Sequence, residues 1–90
     1  MVIIKITAEY SADSQETRLS ILEFPGVKET AKSYLFAGKR FSKNKLHHIE
    51  VDLSRPRVAK GTVYVLADRL EEFKSSIVGT IVDELYKYNR

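Results

Sequence analysis

From Leu70 to Tyr88 the apolar positions recur at three- and four-residue steps: Leu70, Phe73, Ile77, Ile81, Leu85 and Tyr88, with Val78 and Val82 widening the stripe. That spacing places them on one face of an α-helix, so residues 67–88 are predicted to form a single amphipathic helix. Asp68 stands where an N-cap would, and Glu71 three residues on completes a capping box that would satisfy otherwise orphaned amide donors. Acidic Glu71 and Glu72 at the start, with Lys87 and Arg90 at the end, complement the helix dipole. Gly79 is discordant, costing about 1 kcal/mol relative to alanine in a helix interior. It falls opposite the stripe beside Ser76, Thr80 and Asp83. A solvated back face is the preferred reading there, and close approach of a second helix or chain is the alternative.

Upstream the period changes from 3.6 to 2. Residues 2–8 alternate Val2, Ile4, Ile6 and Ala8 against Ile3, Lys5 and Thr7, which predicts a strand, central because Ile3 adds bulk to the second face. Residues 11–17 are polar and read as a loop, with a short helix capped by Asp13 and Glu16 as the weaker option. A strand over 18–24 then ends at the turn signal Pro25-Gly26. Residues 27–37 carry both signals: Val27, Ala31, Tyr34 and Leu35 fit a helix face, while Thr30, Tyr34 and Phe36 favour extended chain. Strand is preferred, which makes Gly38-Lys39 a hairpin turn into a strand over 40–43; in the helical alternative Gly38 is a C-cap. Residues 45–53 alternate, with His47, Ile49, Val51 and Leu53 on one side, and predict a half-buried strand. Residues 54–61, containing Pro56 and ending in Gly61, read as a loop, and residues 62–67 as the last strand.

These elements predict an α+β fold: a mainly antiparallel sheet of four or five strands with the C-terminal helix packed on one face. Ninety residues make one domain, 1–90, whose core must be stabilised without disulfides because the chain has no cysteine. That composition excludes thiol nucleophiles and cysteine zinc sites and fits a reducing cytoplasm, the expected location. No apolar run reaches the ~18 residues of a membrane span. The first ten residues lack a signal peptide's basic and apolar regions, so the chain is expected to start near Met1.

Charge is uneven along the sequence. Residues 28–60 hold nine basic and three acidic side chains, a net +6, whereas 1–27 net −2 and 61–90 net −1. Within the basic third, Lys39, Arg40, Lys43 and Lys45 are interleaved with Phe36 and Phe41, and Arg55, Arg57 and Lys60 follow on the 54–61 segment. Cations that neutralise phosphates beside aromatics that stack on bases are the means by which sheet surfaces hold single-stranded nucleic acid. The predicted polyanion-binding residues are therefore Lys39, Arg40, Phe41, Lys43, Lys45, Arg55, Arg57 and Lys60. Equally consistent is a purely structural role, with Tyr34 and Phe36 in the core and the lysines along a charged sheet edge.

Little else carries chemistry. His48, Glu50 and Asp52 share a strand face, but residues four apart on a strand stand about 13 Å from one another, too far to converge on one ion. There is no G-x-S-x-G, no P-loop and no G-x-G-x-x-G. No catalytic residue, metal or cofactor is assigned, and a non-enzymatic binding domain is expected. The alternative to a nucleic acid or other polyanion partner is a protein-interaction or homodimerisation module. It would use the sheet edge, the C-terminal helix, or exposed apolar surface such as Phe73 and Tyr86.

Overall fold

The computed structural model describes residues 1–88; Arg90, expected to close the helix with positive charge, lies outside them. Strand β1 (Ile3–Ser11) is the centre of the molecule, paired antiparallel on one side with β2 (Glu16–Phe24) and on the other with β7 (Val58–Leu66). Strand β6 (Glu50–Arg55) completes a four-stranded sheet of order β2-β1-β7-β6. Helix α1 (Leu70–Tyr88) runs back across one face of this sheet. A second sheet, formed by β3 (Lys28–Glu29), β4 (Ser33–Phe36) and β5 (Lys39–Ser42) in that order, covers part of the other face. The α+β architecture with one helix on a largely antiparallel sheet is thus as expected. The main sheet has four strands, as expected; the other three strands among the described residues, all within 28–42, fold into a separate meander that the sequence pattern does not distinguish from it.

Strand β1 is buried on both faces at its start, for the reason visible in its composition. Ile4, Ile6, Ala8 and Tyr10 point toward the helix and join Ala59, Val63, Val65, Phe73, Ile77, Ile81 and Leu85 in the main core. Ile3 points the other way into a smaller core with Val27 and Tyr34. Four residues of the helical stripe are buried, and at roughly 1.5 to 3 kcal/mol for each large apolar side chain they anchor the helix. Tyr88, assigned to the stripe from its spacing, is 70% exposed. Phe73, expected as apolar overspill, is buried instead, while Tyr86 is 51% exposed. Gly79 is exposed, and a methyl group there would meet nothing within 4 Å, which fits the solvated back face.

The helix starts differently from the predicted capping box. Residues 67–69 form a 3-10 turn without a side-chain cap, and Asp68 lies inside it. The acidic first turn is engaged by neighbours instead: Arg69 donates to Glu72 through Nε at 3.0 Å and Nη2 at 2.6 Å, and Lys74 lies 3.6 Å from Glu71.

Two boundaries differ by more. The 54–61 segment is not a loop: β6 continues to Arg55 and turns at Pro56-Arg57, and β7 begins at Val58. Gly61 sits in mid-strand beneath the helix, where a Cβ would come 2.5 Å from Ile81 Cγ2. The glycine is there for close approach of helix to sheet, which its turn-like identity conceals. Conversely, the strand expected over 45–53 begins only at Glu50. Residues 43–45 form a 3-10 turn and His47 adopts φ 63°, so its N–H reaches the Tyr64 carbonyl at 2.8 Å. Ile49, Val51 and Leu53 do pack against the core. The 11–17 loop contracts to residues 12–15, since β2 begins at Glu16. Ala37-Gly38 rather than Gly38-Lys39 forms the β4–β5 turn, with φ 52° and 70° at its two residues, the backbone that suits a two-residue hairpin.

The two edges of the main sheet are unlike. Strand β6 is short and its register with β7 shifts between Asp52 and Arg55. There the Asp52 carboxylate accepts the Ser54 N–H at 2.9 Å, which holds the carboxyl below its ordinary pKa. Strand β2 pairs with β1 in unbroken register over nine residues, and eight of those nine are exposed.

Candidate functional site

The alternation of β5 decides how the basic residues are displayed. Successive side chains of a strand point to opposite faces, so Arg40 points away from the molecule and Phe41 toward it. Phe41 lies 4.7 Å from the Tyr64 ring and 5.7 Å from Phe36, and Phe24 lies 5.0 Å from Phe36. These four rings join the small sheet to the large one. Phe41 is therefore packed in an aromatic cluster, though half-buried, and Tyr34 is buried; Phe41 lies on the face opposite Arg40 and not on the outward face of the small sheet.

On the outward face of the small sheet, Lys28, Leu35 and Arg40 are directly opposed across β3, β4 and β5. Lys39, at the start of β5, joins them around an open depression of roughly 520 Å³ that Leu35 and Phe36 also line. Lys28, Lys39 and Arg40 are exposed, and among the described residues none of the three forms a salt bridge. Lys28 is not among the residues predicted for the site, although it belongs to the same basic third. Its place can be found only by knowing that β3 pairs with β4.

The remaining predicted residues are dispersed. Lys43 pairs with Glu29 and lies 5.2 Å from the centre of the Tyr34 ring. Lys45 is exposed and lines a separate cleft with Phe41, His48 and Glu50. Arg55, Arg57 and Lys60 lie at the other end of the main sheet: Val58 and Tyr64 are six residues apart on β7, about 20 Å at the rise of a strand. Arg57 is paired there with Asp13, across the tips of two hairpins, and Lys60 lies 3.6 Å from Glu9. Lys60 and Glu9 belong to a row of alternating sign, Arg18, Glu9, Lys60 and Asp52, formed by residues directly opposed on the four strands. Opposite charges placed that way stabilise the sheet. The basic third of the sequence thus yields one cluster of unpaired cations on the small sheet; of the other predicted cations, Lys43, Arg57 and Lys60 are paired within the fold, while Lys45 and Arg55 stand apart from the cluster and form no salt bridge among the described residues.

His47 is the most constrained titratable group. Its ring stacks on Phe73 at 5.3 Å with an 18° interplanar angle; Nε2 accepts the Leu66 N–H at 3.2 Å, and Nδ1 lies 3.2 Å from Arg69 Nη1. Both ring nitrogens thus face donors, and a neutral imidazole accepts at only one of them. Burial first, and the Arg69 charge second, hold its pKa below the ordinary 6.5. The ring is a structural tie between β7 and the helix start.

Among the described residues no three His, Asp or Glu side chains gather as a metal site. None of the helices described is long and apolar enough to cross a membrane. Compared with models of protein families, with curated proteins and with solved structures, the chain finds no match.

Proposed function

We propose that the chain is a non-enzymatic binding domain that holds a polyanion, single-stranded nucleic acid in the first instance, on the outward face of the small sheet. One observation carries this reading: Lys28, Lys39 and Arg40, drawn from two strands, surround one open depression without acidic partners among the described residues. Three cations that converge contact three phosphates, and the apolar lining that Leu35 contributes accommodates sugar or base edges. With Tyr34 buried and Phe24, Phe36, Phe41 and Tyr64 packed against one another, recognition on this face is electrostatic and sequence-tolerant.

The test is fluorescence anisotropy with labelled single-stranded DNA and RNA. Three phosphate contacts on a single strand give a log–log salt slope near −2, so raising salt from about 50 to 200 mM weakens binding roughly 20-fold. Replacing Lys28, Lys39 and Arg40 together by glutamine removes binding. Replacing Lys43, Arg57 and Lys60, whose charges are already paired, leaves most of it. Absence of binding at the lower salt overturns the reading.

A further inference from the structure

Strand β2 is long and carries exposed apolar side chains, yet among the described residues it is paired on one side only. Its helix-side row is Thr17, Leu19, Ile21 and Glu23, because these oppose Tyr10, Ala8, Ile6 and Ile4 of β1. Helix α1 does not cover them: Leu19 is 42% and Ile21 43% exposed, and Leu22 on the other face is 55% exposed. Among the devices that blunt a sheet edge, β2 lacks shortness, bulges, proline and lysine, being long and in unbroken register; its charges, Glu16, Arg18 and Glu23, lie toward its ends and leave residues 19–22 uncharged. The flank of α1 nearest this edge is also apolar. Tyr86 reaches β1, its hydroxyl 2.9 Å from that of Tyr10; Val82 and Val78 precede it at four-residue steps on the same flank and are half-buried.

We infer that the occupant of this edge is a second copy of the chain, its β2 paired antiparallel with the first about a two-fold axis at Ser20, so that two four-stranded sheets join into one of eight. A two-fold axis normal to a sheet opposes residues of the same face, which restricts the centre to a single residue. Centring on Ser20 alone pairs all nine residues of β2. On the helix side the row Thr17-Leu19-Ile21-Glu23 is symmetric in polarity about that centre: Leu19 opposes Ile21 of the second copy, and Ile21 opposes its Leu19. Polar Thr17 and Glu23 close the row at both ends. On the other face Arg18 opposes Leu22, whose apolar surface its methylene stem covers, and no like charges are opposed anywhere along the pair. The shift to Ile21 as centre sets Leu19 against Glu23, and the shift to Leu19 sets Glu16 against Leu22. Both shorten the ladder. Strand pairing of this length buries less than a standard interface, so the dimer is a reversible one that forms at micromolar concentration and above.

Sedimentation velocity, run without nucleic acid from low micromolar to near-millimolar chain, reads the outcome independently of the polyanion reading. The mass is expected to rise with concentration from 10.3 kDa to twice that value. The double variant Leu19→Lys/Ile21→Lys, on exposed positions that leave the fold intact by circular dichroism, is expected to stay monomeric. Because the chain has no cysteine, Ser20→Cys places one thiol beside its symmetry mate, and mild oxidation is expected to yield covalent dimer quickly. Leu22→Cys places the two thiols four residues apart across the pair and is expected to yield little. A chain monomeric throughout the range overturns the inference. So does a dimer that survives Leu19→Lys/Ile21→Lys, or one that Leu22→Cys traps as fast as Ser20→Cys.

Discussion

At the scale of single residues, Gly61 and His47 hold the helix against the sheet by opposite means, one by having no side chain and the other by a ring that accepts from the Leu66 N–H and stacks on Phe73. A methyl group at position 61 would collide with Ile81 Cγ2 at 2.5 Å and crowd Ile77 at 3.3 Å, so Gly61→Ala is expected to destabilise by about 1 to 3 kcal/mol, the cost of overpacking. In a double-mutant cycle with Ile81→Ala the penalties should fall short of additivity, because removing the Ile81 branch makes room for the new methyl. Urea titration of the four proteins checks this. For His47 the sign follows from a folded-state pKa held below the ordinary 6.5. The unfolded chain takes up the proton first, so stability is fully present above about pH 6.5 and falls as pH drops through the lower folded value. Protonation sets a positive ring against Arg69, partly offset by Glu72 and Asp68. His47→Asn, which tolerates the positive φ, is expected to flatten the loss of urea midpoint between about pH 7.5 and pH 5.5.

At the scale of elements, what is legible in the sequence is whatever a strong period announces, and what is hidden depends on small residues and on distant partners. The helix and β1 can be read within a few residues of their observed limits, because Ile77, Ile81 and Leu85 or Ile4 and Ile6 leave no other face to bury. Strand β7 reads too short because Ala59 and Gly61 do not register as apolar, although with Val63 and Val65 they continue one buried alternation. The late start of β6 is not readable locally: His47 leaves the extended path to meet Tyr64 and Leu66, contacts that exist only once β7 is in place. Phe41 is legible in principle. On a four-residue strand one of Arg40 and Phe41 must face inward, and an arginine does so rarely. Strong local signals also mislead at the helix start, where Asp68 and Glu71 have the spacing of a capping box without forming one. Asp68→Ala should accordingly cost no more than about 0.5 kcal/mol, as for a surface position. Ile77→Ala should cost about 2 to 5 kcal/mol for the cavity it leaves. Thermal denaturation of the two variants separates them clearly.

At the scale of the whole molecule, the fold sorts charge by position in a way the linear count of nine bases against three acids cannot express. Arg57 and Lys60 are engaged by Asp13 and Glu9 at one end, while Lys28, Lys39 and Arg40 are left open at the other. The salt dependence of any polyanion complex should therefore report about three contacts, not the seven cations singled out from the sequence, and a slope steeper than about −4 would place further cations in the interface.

The difference between the two margins of the main sheet has a consequence of another kind, one of valence. A unit with two equivalent open margins adds copies at both and grows without limit, whereas a unit with one is saturated after a single addition. The shift between Asp52 and Arg55 and the Pro56 corner close the β6 margin, leaving the unit monovalent. Association through β2, as inferred above, would accordingly stop at two chains, and the irregularity that shortens β6 would be what keeps that long exposed strand from seeding a fibre.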